Sequence, residues 1–152
     1  MALEVEVSIP HAVDLVWATV TDLRTAPYWL GLDNLRQLEK GEPLGAGTRL
    51  AYDARGQAHA ATITRFDRER YLSLTAQQGG ITVTYAYVFE RRPDGTRVRL
   101  HADCRAVGWF WRLLVPFVRR AMERSDRDQL EALKKLVAAV AATEARQKAE
   151  RR

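Results

Sequence analysis

The chain has 152 residues, of which 47% are hydrophobic and 28% charged, and a formal net charge of +5. Those values predict one globular domain that can bury a core without metal or disulfide support. The lone cysteine, Cys104, excludes an internal disulfide and a cysteine-based zinc site, and nothing in the composition calls for a cofactor.

In chain order, Leu3, Val5, Val7 and Ile9 alternate with Glu4, Glu6 and Ser8, the period of a half-buried strand. The acidic opening lacks the basic segment of a secretory signal, so a cytoplasmic setting is expected. Pro10 stops the strand and suits the start of a helix. Val13, Val16, Trp17 and Val20 then recur at helical spacing, with Trp17 expected to pack that helix onto a sheet. A second short helix is predicted over about residues 26–30, with Pro27 near its start.

From Leu35 to Cys104 turn signals recur at short intervals, including Gly41-Glu-Pro43, Gly45-Ala-Gly47, Gln78-Gly-Gly80 and Pro93-Asp-Gly95. The intervening runs, 35–40, 48–53, 58–66, 71–77, 81–91 and 96–105, are rich in strand formers and predict an antiparallel meander. With the first strand, seven are expected. Val98, Leu100, Ala102 and Cys104 form one face of the last strand, and Arg97, Arg99, His101 and Asp103 the other. In the strand before it, Ile81, Val83, Tyr85, Tyr87 and Phe89 share a face. An apolar sheet face needs a cover. The cover predicted is a long helix starting near Pro116 and running to about residue 143, a stretch without glycine and with no further proline. A domain over 1–143 and a flexible charged tail over 144–152 follow.

The run Gly108 to Phe117, GWFWRLLVPF, is the most apolar in the chain. It is about half the length a spanning helix needs and contains Arg112. Proline fits the first turn of a helix better than its middle, so residues 108–115 are predicted to be a turn or short helix leading in. Three readings are open: a lid of Trp109, Phe110 and Trp111 over a cavity, a plain hydrophobic junction, or a wedge touching lipid. The lid is the leading one. The charge bears on the third. Residues 1–104 hold 12 Lys/Arg and 13 Asp/Glu, whereas residues 105–152 hold 12 and 6. The basic excess of the last third reads as a solvated helix face or as transient contact with an anionic membrane surface. No zinc-finger, helix-turn-helix or RNA-binding pattern accompanies it, so nucleic acid is not an expected partner.

The order strand, two short helices, six strands, long helix resembles the helix-grip layout of the START-like superfamily of polyketide cyclases/dehydrases and lipid-transport proteins. The residues that carry the resemblance are SIPHAVDLVWATVTDL at 8–23, YWL at 28–30, PLGAGTRL at 43–50, ITRFDRERYLSL at 63–74, FERRPDGTRVRL at 89–100 and LKKLV at 133–137. The expected fold is α+β: a seven-stranded curved antiparallel sheet, two short helices and a long C-terminal helix enclosing a cavity. The resemblance implies a deep cavity for a lipid, polyketide or other hydrophobic molecule. It also implies, in some members, cyclisation or aromatisation.

Candidate lining residues follow from the phases. Trp29, Tyr52, Tyr85 and Tyr87 combine apolar bodies with polar tips. His59 is in phase with Ala61 and Ile63. On the long helix, a face traced through Val118, Met122, Ser125, Gln129, Leu133, Leu136 and Val140 places Ser125 and Gln129 inward. A slightly rotated face would use Met122 and Leu130 instead. No Gly-x-Ser-x-Gly, HExxH, CxxC or phosphate-loop pattern occurs, and catalytic residues cannot be assigned. The leading expectation is therefore binding of a small hydrophobic or amphipathic molecule. The alternatives are a cyclase/aromatase-like enzyme using His59, Tyr85 and Ser125, and a peripheral lipid-handling module. The oligomeric state is open.

Overall fold

Seven strands form one antiparallel sheet in the order β1-β7-β6-β5-β4-β3-β2, seen in a computed structural model that describes residues 2–54 and 56–151. The strands are β1 (Ala2–Ile9), β2 (Asp33–Gln37), β3 (Arg49–Ala54), β4 (Gln57–Asp67), β5 (Tyr71–Gln78), β6 (Ile81–Arg92) and β7 (Gly95–Ala106). Strands β2 to β7 are a meander, and β1 closes onto β7. The first connection carries α1 (Val13–Thr21), a single 3-10 turn (Leu23–Thr25) and α2 (Ala26–Trp29). The last element is the 42-residue helix α3 (Trp109–Glu150). This is the α+β helix-grip architecture.

The pairing register fixes which side chains share a face. Leu3, Val5 and Val7 of β1 stand opposite Ala102, Leu100 and Val98 of β7. Those in turn oppose Tyr85, Tyr87 and Phe89 of β6. Leu72 and Leu74 of β5 continue the row opposite Tyr87 and Tyr85. On β4 the alternation slips between Ile63 and Arg65, where two residues oppose one. The slip turns Phe66, rather than Arg65, to the same face as Ile63. Helix α3 packs against this inner face at β1 and β7 and touches α1 and α2. Leu100, Leu130, Leu133 and Val137 are fully buried between the layers. The outer face is wet and charged, with Arg97 bonded to Glu6 and Arg99 to Glu90. Trp17 packs α1 onto the sheet, edge to face with Phe66 and Phe89 at 5.2 Å between ring centres.

Two helix bounds differ from the sequence reading. The helix starts at Trp109, so Pro116 lies inside it. Proline removes one amide donor, and the carbonyl that loses it belongs to exposed Arg112, where water can serve as partner. Gly108, at φ +90°, makes the sharp turn out of β7 that lets the helix begin there. At the other end, residues 144–150 continue the helix with exposed side chains, as expected of a segment built from alanine, glutamate, glutamine, lysine and arginine. No helix among the described residues is long and apolar enough to cross a membrane.

Candidate functional site

The inner sheet face is not covered evenly. Ile9, Val98 and Leu100 are sealed, whereas Tyr52, His59, Leu74, Val83 and Tyr85 remain half-buried. The site is built where the sealed and half-open parts meet, around Tyr87 of β6. Tyr87 is 1% exposed. Its hydroxyl donates to Gln129 Oε1 of α3 at 2.5 Å. Its ring meets Trp29 edge to face at 5.7 Å. One side chain therefore ties the sheet to both the long helix and α2. Replacing Tyr87 with phenylalanine is expected to lower stability by about 1–2 kcal/mol, because Gln129 keeps its half-buried position and loses its donor. Urea unfolding of the variant measures this.

The connection after α1 places Trp29. Asp22 ends α1 and accepts the Arg24 amide at 3.1 Å. Thr25 Oγ1 reaches back to the Thr19 and Asp22 carbonyls, each at 2.8 Å. The tightened turn carries Trp29 to the inner face, where its indole Nε1 is buried with no hydrogen-bond partner among the described residues.

Beside Trp29 and Tyr87 lies an apolar cleft bordered by Leu35, Leu44, Leu50, Ile63 and Leu74, with a free volume of about 30 Å³. That is room for one or two water molecules. Ligand pockets ordinarily offer about 300 Å³ or more. This cleft is narrow because Trp29, Leu30, Phe66 and Tyr87 fill its width.

Tyr87 also has polar neighbours, since Tyr85 and Asp126 both act on its hydroxyl. Asp126 of α3 is 1% exposed, and its Oδ2 has no hydrogen-bond partner among the described residues. Burial pushes its carboxyl pKa up to about 6. Burial raises the Tyr85 hydroxyl above its ordinary value, and the charges of Asp126, Tyr52 and Cys104 add to that rise. Tyr87 is raised by burial, then by Tyr85 and Asp126. Tyr52 is raised by burial alone. Tyr52 also stacks on His59, its register partner across β3 and β4, at 5.4 Å between ring centres.

Trp29, Tyr52, His59, Tyr85, Tyr87 and Gln129 therefore all belong to the inner face or its helical cover. Met122 is buried beside them against Leu3, Ala102 and Cys104. Ser125 does not join them. It is exposed, next to Arg124 and Asp128 in a surface groove. The helix is rotated so that Met122, Asp126, Leu130, Leu133 and Val137 point inward. The expected lid also fails. Trp109 and Phe110 are 76% and 54% exposed, so these two side chains do not cover the inner face. The Trp111 side chain lies outside the described residues.

Asp126 was not among the residues singled out from the sequence. The signal was present: the apolar series 122, 130, 133, 137 has a charged residue at the one helical step that completes it.

Solved structures share the fold. A Thermus thermophilus protein, TTHA0849, superposes with a TM-score of 0.72 at 23% identity, over 92% of this chain and 99% of that one. The Zhui aromatase/cyclase of Streptomyces sp. R1128 gives 0.68 at 18%, over 91% and 93%. The di-domain ARO/CYC BexL of the BE-7585A biosynthetic pathway gives 0.75 at 19%, over 93% of this chain and 47% of that one. At these identities the likeness is one of fold. No curated protein matches the sequence. The family model described as polyketide cyclase/dehydrase and lipid transport matches residues 1–138, and the chain belongs to that family.

Proposed function

We propose that the protein binds a small hydrophobic or amphipathic molecule between the inner sheet face and α3, without covalent chemistry. The observation that carries this reading is the pair of buried polar atoms without partners among the described residues, Trp29 Nε1 and Asp126 Oδ2. An unpaired buried polar group costs about 1–3 kcal/mol. A ligand with an acceptor for the indole and a donor for the carboxylate would remove both costs while its body covers Leu74, Val83 and Tyr85. The narrow cleft requires side chains to move apart on binding. The half-buried row Tyr52, His59 and Tyr85 is the side from which a ligand reaches it.

Native mass spectrometry of protein purified under mild conditions tests the reading, with a copurified small molecule as the expected result. Trp29→Phe should reduce its retention. Protein that carries no such molecule and also takes up no anilinonaphthalene sulfonate would overturn the proposal.

A second reading is favoured by one specific feature. Asp126, with a pKa of about 6, and the neutral Tyr85 phenol form a site in which a proton could be taken and returned, as ring closure with loss of water requires. Cyclase/aromatase activity on a poly-β-ketone would then disappear in Asp126→Asn while binding of the same molecule persists.

A further inference from the structure

The first turns of α3 carry a surface that the cavity does not use. Trp109, Leu113 and Phe117 are spaced four residues apart, with Phe110 beside them, and all four are exposed. Val107, just before the helix, is 75% exposed. At 100° per residue these four side chains fall within about 100° of arc. They lie opposite the buried face formed by Val115, Met122 and Asp126. The same outward face then changes character. Arg120, Arg124 and Arg127 follow within the arc of the aromatic residues or at its edge, and all three are exposed. At a rise of 1.5 Å per residue, Arg120 is about 4–5 Å and Arg124 about 10 Å along the axis from Phe117.

Large apolar side chains massed at one tip of a chain are a surface awaiting a partner. Two occupants suit an apolar helical tip: a bilayer and a second copy of this chain. Charge decides between them. Residues 105–124 contain five arginines and one glutamate. Two copies meeting here would bring two such basic segments together, which opposes association. An anionic bilayer has the opposite sign and offers phosphates one to two turns above its acyl boundary, the spacing of the arginines above the apolar tip. The tip is also next to the half-open part of the inner face. The Val107 amide is bonded to the Gly80 carbonyl at 2.8 Å, and Ile81 opposes Ala106 at the start of β6.

We propose that the outward face of the first turns of α3 docks on an anionic lipid surface. Trp109, Phe110, Leu113 and Phe117 enter the acyl boundary, and Arg120 and Arg124 lie at phosphate level. This goes beyond ligand binding and does not depend on it.

Co-sedimentation with vesicles of phosphatidylcholine and phosphatidylserine, against phosphatidylcholine alone, tests the proposal. Binding is expected to the anionic vesicles at low salt, with a blue shift of tryptophan emission, and to weaken as salt is raised. Leu113→Ser/Phe117→Ser and, separately, Arg120→Glu/Arg124→Glu should each reduce it by roughly 10-fold or more. These positions are exposed, and far-UV circular dichroism establishes that the variants remain folded. Absence of binding to anionic vesicles at low salt would overturn the proposal. So would undiminished binding by either variant, or a dimer in light scattering that Leu113→Ser/Phe117→Ser dissociates without any vesicle binding.

Discussion

Gly95→Ala is expected to destabilise the protein by about 3 kcal/mol or more. Gly95 opens β7 at φ +149°, and a Cβ built there would lie 2.1 Å from the Ile9 carbonyl oxygen. It would also meet the His11 amide nitrogen and the Pro10 Cα, each at 2.9 Å. All three atoms are backbone, so none can swing aside as a side-chain tip would. Relief requires the end of β1 to part from β7. That movement would uncover Ile9 and Thr96, each 1% exposed, and break the bond from Thr96 Oγ1 to the His11 carbonyl. The damage would reach the site, because this turn leads into α1, and the chain beyond it delivers Trp29. Urea unfolding should show a lower midpoint with an unchanged slope. Gly45→Ala is the control, since a Cβ at Gly45 meets nothing within 4 Å. A Gly95→Ala protein within about 0.5 kcal/mol of the wild type would contradict the close approach described.

Asp126→Asn is expected to raise stability at neutral pH by about 1–2 kcal/mol. Asp126 is buried, its Oδ2 is unpartnered, and burial pushes its pKa up to about 6. In the unfolded chain an aspartate titrates near 3.9. Between those values the folded protein binds more protons than the unfolded chain. The carboxylate's cost is therefore absent below about pH 4, grows as pH rises through 6, and is constant above it. The advantage of Asp126→Asn should follow that course: largest at pH 7 and above, and close to zero at pH 4. The comparison must be between the two proteins at each pH. Asp22, which its hydrogen bond to Arg24 holds below the ordinary carboxylate range, moves wild-type stability in the opposite direction on acidification. A variant less stable than wild type at pH 7 would show that the carboxylate has a compensating partner. A residue kept at a cost to stability points to function. Under the proposed reading the same substitution weakens binding of a ligand that donates to Oδ2.

Much of the architecture was legible because it repeats along the chain. The alternation in residues 3–9 and 96–104, and the turn signals between strands, mark six of the seven strands to within about two residues. Strand β2 is the exception. It spans Asp33–Gln37 instead of 35–40, because its register against β3 shifts between Asp33 and Arg36. A similar slip on β4 is visible in hindsight as Ile63 followed by Phe66, three residues apart where strict alternation gives two.

The site was legible in its sheet half only. Tyr85 and Tyr87 follow from an unbroken alternation in β6, and Tyr52 and His59 from two strands whose register does not slip between them. The helical half depended on rotation. Ser125 and Asp126 are neighbours, and about 100° of helix rotation separates an exposed hydroxyl from a buried carboxyl.

The amino-acid sequence alone determined the element order, the antiparallel meander, the apolar inner face of the sheet and the family. These rest on periodicities and turn chemistry that act between near neighbours in the chain. Only the tertiary structure decided that Asp126 is buried, that the aromatic tip of α3 faces outward, and that the cleft beside Trp29 and Tyr87 has a free volume of about 30 Å³. The azimuth of α3 is set by how Leu130, Leu133 and Val137 seat against the sheet and the short helices. The free volume is what remains after side chains from several separate elements have packed together. Neither quantity is a property of any one segment.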